Sequence, residues 1–216
     1  MTGDDMRAEL RTLVDDDNIA EAQELRWINQ AYDRINAMRI WNYLRKEDSS
    51  KTVVSGTVSY ALPSDFLYPS EDHFFLLDAS LNVTHTIKFV PMKSRLRYKN
   101  TSGFAYVDLA NSNLIFTADD SSFNGRKIYL PYQYQPTQLI ASTSPVFNRA
   151  FHMGPVYFSA RHFWYNDQQE KDRSFIREMD TEFDRVLSEM IQWDNHLDFA
   201  FDSSYHPLDN WAPGVD

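Results

Sequence analysis

Apolar positions first recur at helical spacing over residues 6 to 14, where Met6, Leu10, Leu13 and Val14 fall on one side. Asp15-Asp16-Asp17-Asn18 then interrupts the pattern and offers side-chain oxygens to the free amides of a following helix, which is expected to begin near Ile19. From Ala20 to Arg45 the stripe Leu25, Ile28, Tyr32, Ile35 continues through Met38 or Arg39 to Trp41 and Leu44, with no Pro or Gly to break it. Arg26, Asn29, Gln30, Asp33, Arg34 and Asn36 take the other side, so the pattern predicts one long amphipathic helix whose stripe needs a partner. Trp27 and Trp41 read as packing residues of a core or an interface.

Between Lys51 and Ser144 the period changes to short β-prone runs bounded by turn residues. They are Thr52 to Val54, Thr57 to Tyr60, His73 to Leu77, Val83 to Val90, Phe104 to Leu109, Asn113 to Thr117 and Arg126 to Gln135. Asp78-Ala79-Ser80-Leu81-Asn82 and Ala110-Asn111-Ser112-Asn113 read as hairpin connections, and Met92 to Tyr98 as a short helix. Pro63 removes an amide donor and biases Leu62 away from the helical region, so Tyr60, Leu62, Pro63 and Phe66 are expected to form the hinge between helical and β structure. Helices return after Pro145. One runs past Pro155 to about Asn166, and a second from Asp167 or Asp172 to about Asn195, with Phe175, Ile176, Met179, Phe183, Val186, Met190 and Trp193 on its apolar face. Leu197 to Asp216 holds Pro207, Pro213 and Gly214 and is expected to be non-helical. Its Phe199, Phe201, Tyr205 and Trp211 are too aromatic for a merely solvated tail and are the candidate partner-binding residues, with a neighbouring subunit, another protein or the chain's own body as the surface they cover.

The expected architecture is therefore α+β. Residues 1–50 and 145–196 form a helical bundle, 51–144 an inserted antiparallel β domain, and 197–216 an extended C-terminal docking tail. No apolar run is long enough to span a membrane, and the first residues lack the basic start and apolar centre of a signal peptide, so synthesis in a cytoplasm is expected.

Composition narrows the chemistry. Cysteine is absent, which excludes disulfides, thiolate zinc sites and a cysteine nucleophile. The six histidines show no metal-binding spacing, and Asp119-Asp120-Ser121-Ser122-Phe123-Asn124-Gly125 lacks the alternating acids and closing glutamate of a calcium loop, so it reads as a polar turn. Glu178 and Glu182 lie one turn apart on a solvated helix face rather than converging in a cleft. Neither a phosphate loop nor a nucleophile elbow is present, so no catalytic, metal or cofactor residue is assigned and no enzyme is expected. With 31 acidic and 21 basic residues the formal charge is −10, which argues against a surface that grips nucleic acid. Fifteen Phe, 12 Tyr and five Trp exceed what one modest core needs and point to assembly.

An amphipathic helix ending in Trp41 and Leu44, then Val53, then Gly56, Tyr60, Leu62, Pro63, Asp65 and Phe66, resembles the head-to-tail connector (adaptor) proteins of tailed bacteriophages. The Lys127-to-Leu130 strand with Pro131, and the Tyr132-to-Leu139 run with Pro136, look like that family's closing strand and exit. The resemblance implies a virion neck protein: a ring, dodecameric in that family, beneath the portal, contacting the portal and the tail or next neck protein, with genomic DNA passing through unread. A carboxylate-based hydrolase and a monomeric interaction module are the alternatives from other classes.

Overall fold

The computed structural model describes residues 1–16, 18–166 and 173–201. The chain divides into two compact units: Met1–Tyr43 with Thr137 onward, and Leu44–Pro136. The architecture is α+β, with helices at both ends of the chain and a curled sheet between them.

In the helical unit, α1 spans Gly3–Val14. It starts earlier than the apolar pattern predicts because Thr2 builds a capping box: its hydroxyl accepts from the Asp5 amide, and the Asp5 carboxylate accepts from the Thr2 amide at 2.7 Å. Asp15, at φ 53°, ends the helix. Helix α2 runs Glu21–Ala37, and its N-cap is Ala20, without a side-chain cap. Asn18, expected to cap it, instead donates its amide to the Asp16 carboxylate at 2.8 Å.

The expected continuation of α2 to Arg45 does not occur. Met38 is followed by a bend after which Trp41 is completely buried, and the Trp41 indole donates at 2.8 Å to the Ile35 carbonyl, which also accepts the Met38 amide at 3.2 Å. Asn29 and Asn36, assigned to the solvent side by their polarity, are buried as well. The Asn29 amide brackets the Leu139 backbone, accepting its N–H at 2.7 Å and donating to its carbonyl at 2.9 Å, while Asn36 accepts from the Tyr43 hydroxyl at 2.9 Å. Helices α3 (Met153–Asn166) and α4 (Arg173–Phe201) complete the unit. Helix α3 lies against α1, α2 and α4, and α1 against α2. Residues 197–201, expected to leave the helix, belong to α4. Leu197 and Phe201 continue the four-residue repeat from Trp193, and the first proline is Pro207.

The β unit holds β1 (Arg45–Asp48), β2 (Ser59–Ala61), β3 (Phe66–Pro69), β4 (His73–Leu77), β5 (Val83–Phe89), β6 (Phe104–Asp108), β7 (Asn113–Phe116) and β8 (Lys127–Tyr134). Their order is β1-β8-β4-β5-β6-β7-β2, with β3 also on β8. Both expected hairpins, β4–β5 and β6–β7, are present. The sheet departs from the all-antiparallel expectation at β5–β6, which pair in parallel, Lys88 with Phe104 and Phe89 with Ala105. The intervening chain, including a 3-10 segment over Met92–Tyr98, is long enough to cross back. Thr52 to Val54 makes only a bridge from Thr52 to Lys127.

Strands β3 and β4 lie one after the other along the same side of β8. The break between them faces Pro131, whose carbonyl accepts from the Ser70 amide at 3.3 Å and which has no N–H to offer there. Curling brings inward side chains of successive strands into one core: Tyr60, Phe74, Leu76, Ile87, Ala105, Leu114, Phe116, Ile128 and Leu130, joined by Val53, Leu62 and Phe123 from loops.

Candidate functional site

The residues that carry the family resemblance are structural. In the β unit, the Tyr60 hydroxyl accepts the Val54 amide and donates to the Thr57 carbonyl, both at 2.9 Å, closing the loop ahead of β2. Gly56 holds φ +82° in that loop, and its amide meets the Asp119 carboxylate at 3.0 Å. Leu62 is buried, with its amide on the Ser112 carbonyl at 2.8 Å, and Pro63 turns the chain so that the Phe66 amide reaches the Pro63 carbonyl at 3.1 Å. The Phe66 ring stacks on Tyr132 at 5.5 Å.

Asp65 receives Lys46 at 2.7 Å and the Tyr132 hydroxyl at 2.9 Å, tying β1, β8 and the start of β3 together. Burial opposes its ionisation, but these hydrogen bonds outweigh it and its pKa is lowered. Tyr60, Leu62, Pro63 and Phe66 thus belong to the interior and lining of the β unit. The chain passes between units elsewhere, at Tyr43–Leu44 and Pro136–Thr137.

Of the aromatics expected to bind a partner, Phe199 and Phe201 fall in the last turn of α4, while Tyr205 and Trp211 lie outside the described residues. The acidic face of α4 is internally paired. Arg185 bridges Glu182 at 2.9 Å and Glu189 at 2.7 Å, and Arg161 meets Asp180 at 2.9 Å. Among the described residues no three His, Asp or Glu side chains gather as a metal site, and the 119–125 stretch is a turn in which the Asp120 carboxylate takes the Ser122 amide at 2.9 Å. Hydrogen bonds from the Ser102 and Ser122 hydroxyls and from that amide lower the Asp120 pKa to about 2.

Sequence reasoning missed an exposed groove of about 450 Å³ on the outer face of the β unit. Its floor is the outward cross-strand pair Tyr106–Ile115, with Val58 beside it, and its wall is the Met92–Tyr98 segment. That wall is fixed in place. Tyr98 packs on Phe104 with ring centres 4.7 Å apart, and Asn100, at φ 63°, donates its amide to the Thr117 carbonyl at 2.9 Å. Yet Leu96 stands 76% exposed. Lys93, Arg95, Arg97 and Lys99 surround it, exposed and without an ion pair among the described residues. The signal was present as Lys-Ser-Arg-Leu-Arg-Tyr-Lys, four cations in a chain of charge −10, but the pattern was read only as a short helix.

The chain belongs to the SU10 adaptor protein family, whose pattern it matches over residues 1–199. No curated protein matches it. Its class is that of phage structural adaptors, components of the virion that interact with portal and tail proteins. No described helix is long and apolar enough to cross a membrane.

Proposed function

We propose that this chain is a head-to-tail adaptor whose copies form a ring, a dodecamer by analogy with the connectors it resembles. The ring docks beneath the portal, extends the DNA channel and presents the surface to which the tail or next neck protein attaches. The observation that carries this reading is the family match over residues 1–199, nearly the whole chain. The aromatic surplus and the rigid exposed groove support it, since a protein that only needed to be soluble would cover such groups. In this reading the helices act as a bundle, the packed DNA passes without sequence-specific contact, and the mechanism is the matching of one interface to the next.

The C-terminal stretch from Leu197 is the docking segment for the portal or a neighbouring subunit. Its aromatics supply apolar area worth roughly 25 cal/mol per Å² when covered, and Pro207 and Pro213 reduce the entropy lost on ordering. The test is assembly with purified portal protein, followed by light scattering and electron cryomicroscopy. The intact chain forms a ring of defined stoichiometry on the portal, and the chain truncated after Phe201 keeps its helical circular dichroism but does not join. A truncated chain that assembles normally overturns the docking role of residues 202–216, and an intact chain that ignores the portal overturns the adaptor reading itself.

A further inference from the structure

The groove on the β unit combines three properties that are expensive to maintain without a partner. Leu96 is almost fully in water although its backbone is fixed, whereas a rigid apolar group is ordinarily turned inward. Arg95 and Lys99 line the groove, and Lys93 and Arg97 flank it, with no described carboxylate paired to any of them. The one acid in the lining, Asp119, is already engaged by the Gly56 amide. The floor, formed by Val58, Tyr106 and Ile115, is apolar, and the volume of about 450 Å³ falls within the roughly 300–1,000 Å³ of pockets that bury a ligand. Its ligand is therefore anionic and apolar at once, and extended enough to lie along strands.

Residues 202–216 of this chain, Asp-Ser-Ser-Tyr-His-Pro-Leu-Asp-Asn-Trp-Ala-Pro-Gly-Val-Asp, have that chemistry. They hold three Asp and no Lys or Arg, interleaved with Tyr205, Leu208 and Trp211, while Pro207 and Pro213 exclude a continuous helix. We infer that the C-terminal segment of a neighbouring copy, its residues 202–216, docks in the groove between the Met92–Tyr98 segment and the β6–β7 face, with Trp211 or Leu208 against Leu96 and Tyr106 and the Asp side chains toward Arg95 and Lys99. The inference rests on the docking reading of the tail and supplies its receptor. A nucleic acid would match the cations but would leave the aliphatic floor and Leu96 without a complement.

The absence of native cysteine makes the test direct. Leu96→Cys combined with Trp211→Cys in the full chain, assembled with the portal and oxidised mildly, yields a disulfide between copies, because docking brings the two backbones within the roughly 7 Å that such a bond requires. The yield exceeds by about tenfold that of Trp211→Cys with Leu81→Cys, an exposed site on another loop, and falls to that level when Arg95→Glu and Lys99→Glu are added. Thermal melts confirm that these surface changes leave the fold intact. Equal yields at the two sites, or none at position 96, overturn the inference. If that occurs while truncation after Phe201 still blocks assembly, the tail docks elsewhere and only the groove assignment falls. A single-stranded oligonucleotide whose binding is abolished by Arg95→Glu and Lys99→Glu, with no disulfide formed, overturns it in favour of nucleic acid.

Discussion

Trp41 closes the end of α2 in two ways. Its ring fills a site with no solvent exposure, and its indole N–H adds a second donor to the Ile35 carbonyl, which already accepts the Met38 amide at the helix end. Trp41→Ala is expected to cost about 3–5 kcal/mol in chemical denaturation, the range for emptying a large aromatic site, and Trp41→Phe about 1–3 kcal/mol, through the smaller ring and the lost indole hydrogen bond. His152 is a second residue with a measurable signature. Burial pushes its imidazole below the usual 6.5, although the hydrogen bond to the Phe147 carbonyl partly opposes that shift. The unfolded chain therefore binds a proton at His152 more readily than the folded one. Its share of the stability is whole above about pH 7.5 and declines as pH falls below about 6.5 toward the folded-state value. Denaturation midpoints measured from pH 8 to pH 5 should fall less steeply for His152→Phe than for the native chain.

At the scale of elements, Glu24 joins α1 to α2. It is fully buried, and its carboxylate is held by Arg7 at 2.9 Å and by both Nε and Nη2 of Arg11, while Arg7 also reaches the exposed Glu21 at 3.0 Å. Glu24→Ala leaves part-buried guanidinium groups facing an emptied site and is expected to cost about 3–5 kcal/mol, whereas Glu21→Ala stays within about 0.5 kcal/mol. Equal melting temperatures for the two variants would show that the buried carboxylate does not anchor the pair.

The same contrast explains what the sequence disclosed. Strands β4 to β8 were legible because Val, Ile, Phe and Tyr run between Asn, Gly and Asp turns, and their starts fell within a residue of the expectation. Strand β1 was not, since Arg-Lys-Glu-Asp carries no β signal and is a strand only because β8 offers it a partner. The end of α2 was equally hidden. No residue near Ala37 breaks a helix; the bend is imposed by the burial of Trp41 and by the Asp194 carboxylate, which accepts the Tyr43 amide at 3.2 Å. Of the candidate site, the aromatic tail was visible from composition, but the groove depends on a parallel β5–β6 pairing that no local pattern announces.

For the whole molecule, the charge of −10 acquires meaning in a ring. If copies surround DNA in transit, their acidic surplus should face the lumen, so that the polyanion passes without adhering, while the cations of Lys93 to Lys99 should lie away from it. A reconstruction of the ring on the portal tests this through the potential along the channel wall: an acidic lumen is the expected result, and a neutral or basic one contradicts it. The stability variants above act within single units, and Trp41→Ala and Glu24→Ala should lower the yield of ring only as far as they lower the folded fraction.

The least strand-like sequence in the sheet has one more consequence. β1 sits at one end of the strand order, with one side on β8 and the other open, and it consists of Arg45, Lys46, Glu47 and Asp48. An open strand edge is a template onto which another chain can zip by its backbone, and a row of charges is among the strongest deterrents to that. Three of these side chains are also held across the surface, Arg45 by Glu71, Lys46 by Asp65 and Asp48 by Lys51, and the opposite end of the sheet, β2, is only three residues long. Charge on one edge and the shortness of the other thus oppose pairing of this sheet with that of a second copy, which leaves recognition to side chains rather than to backbone edges.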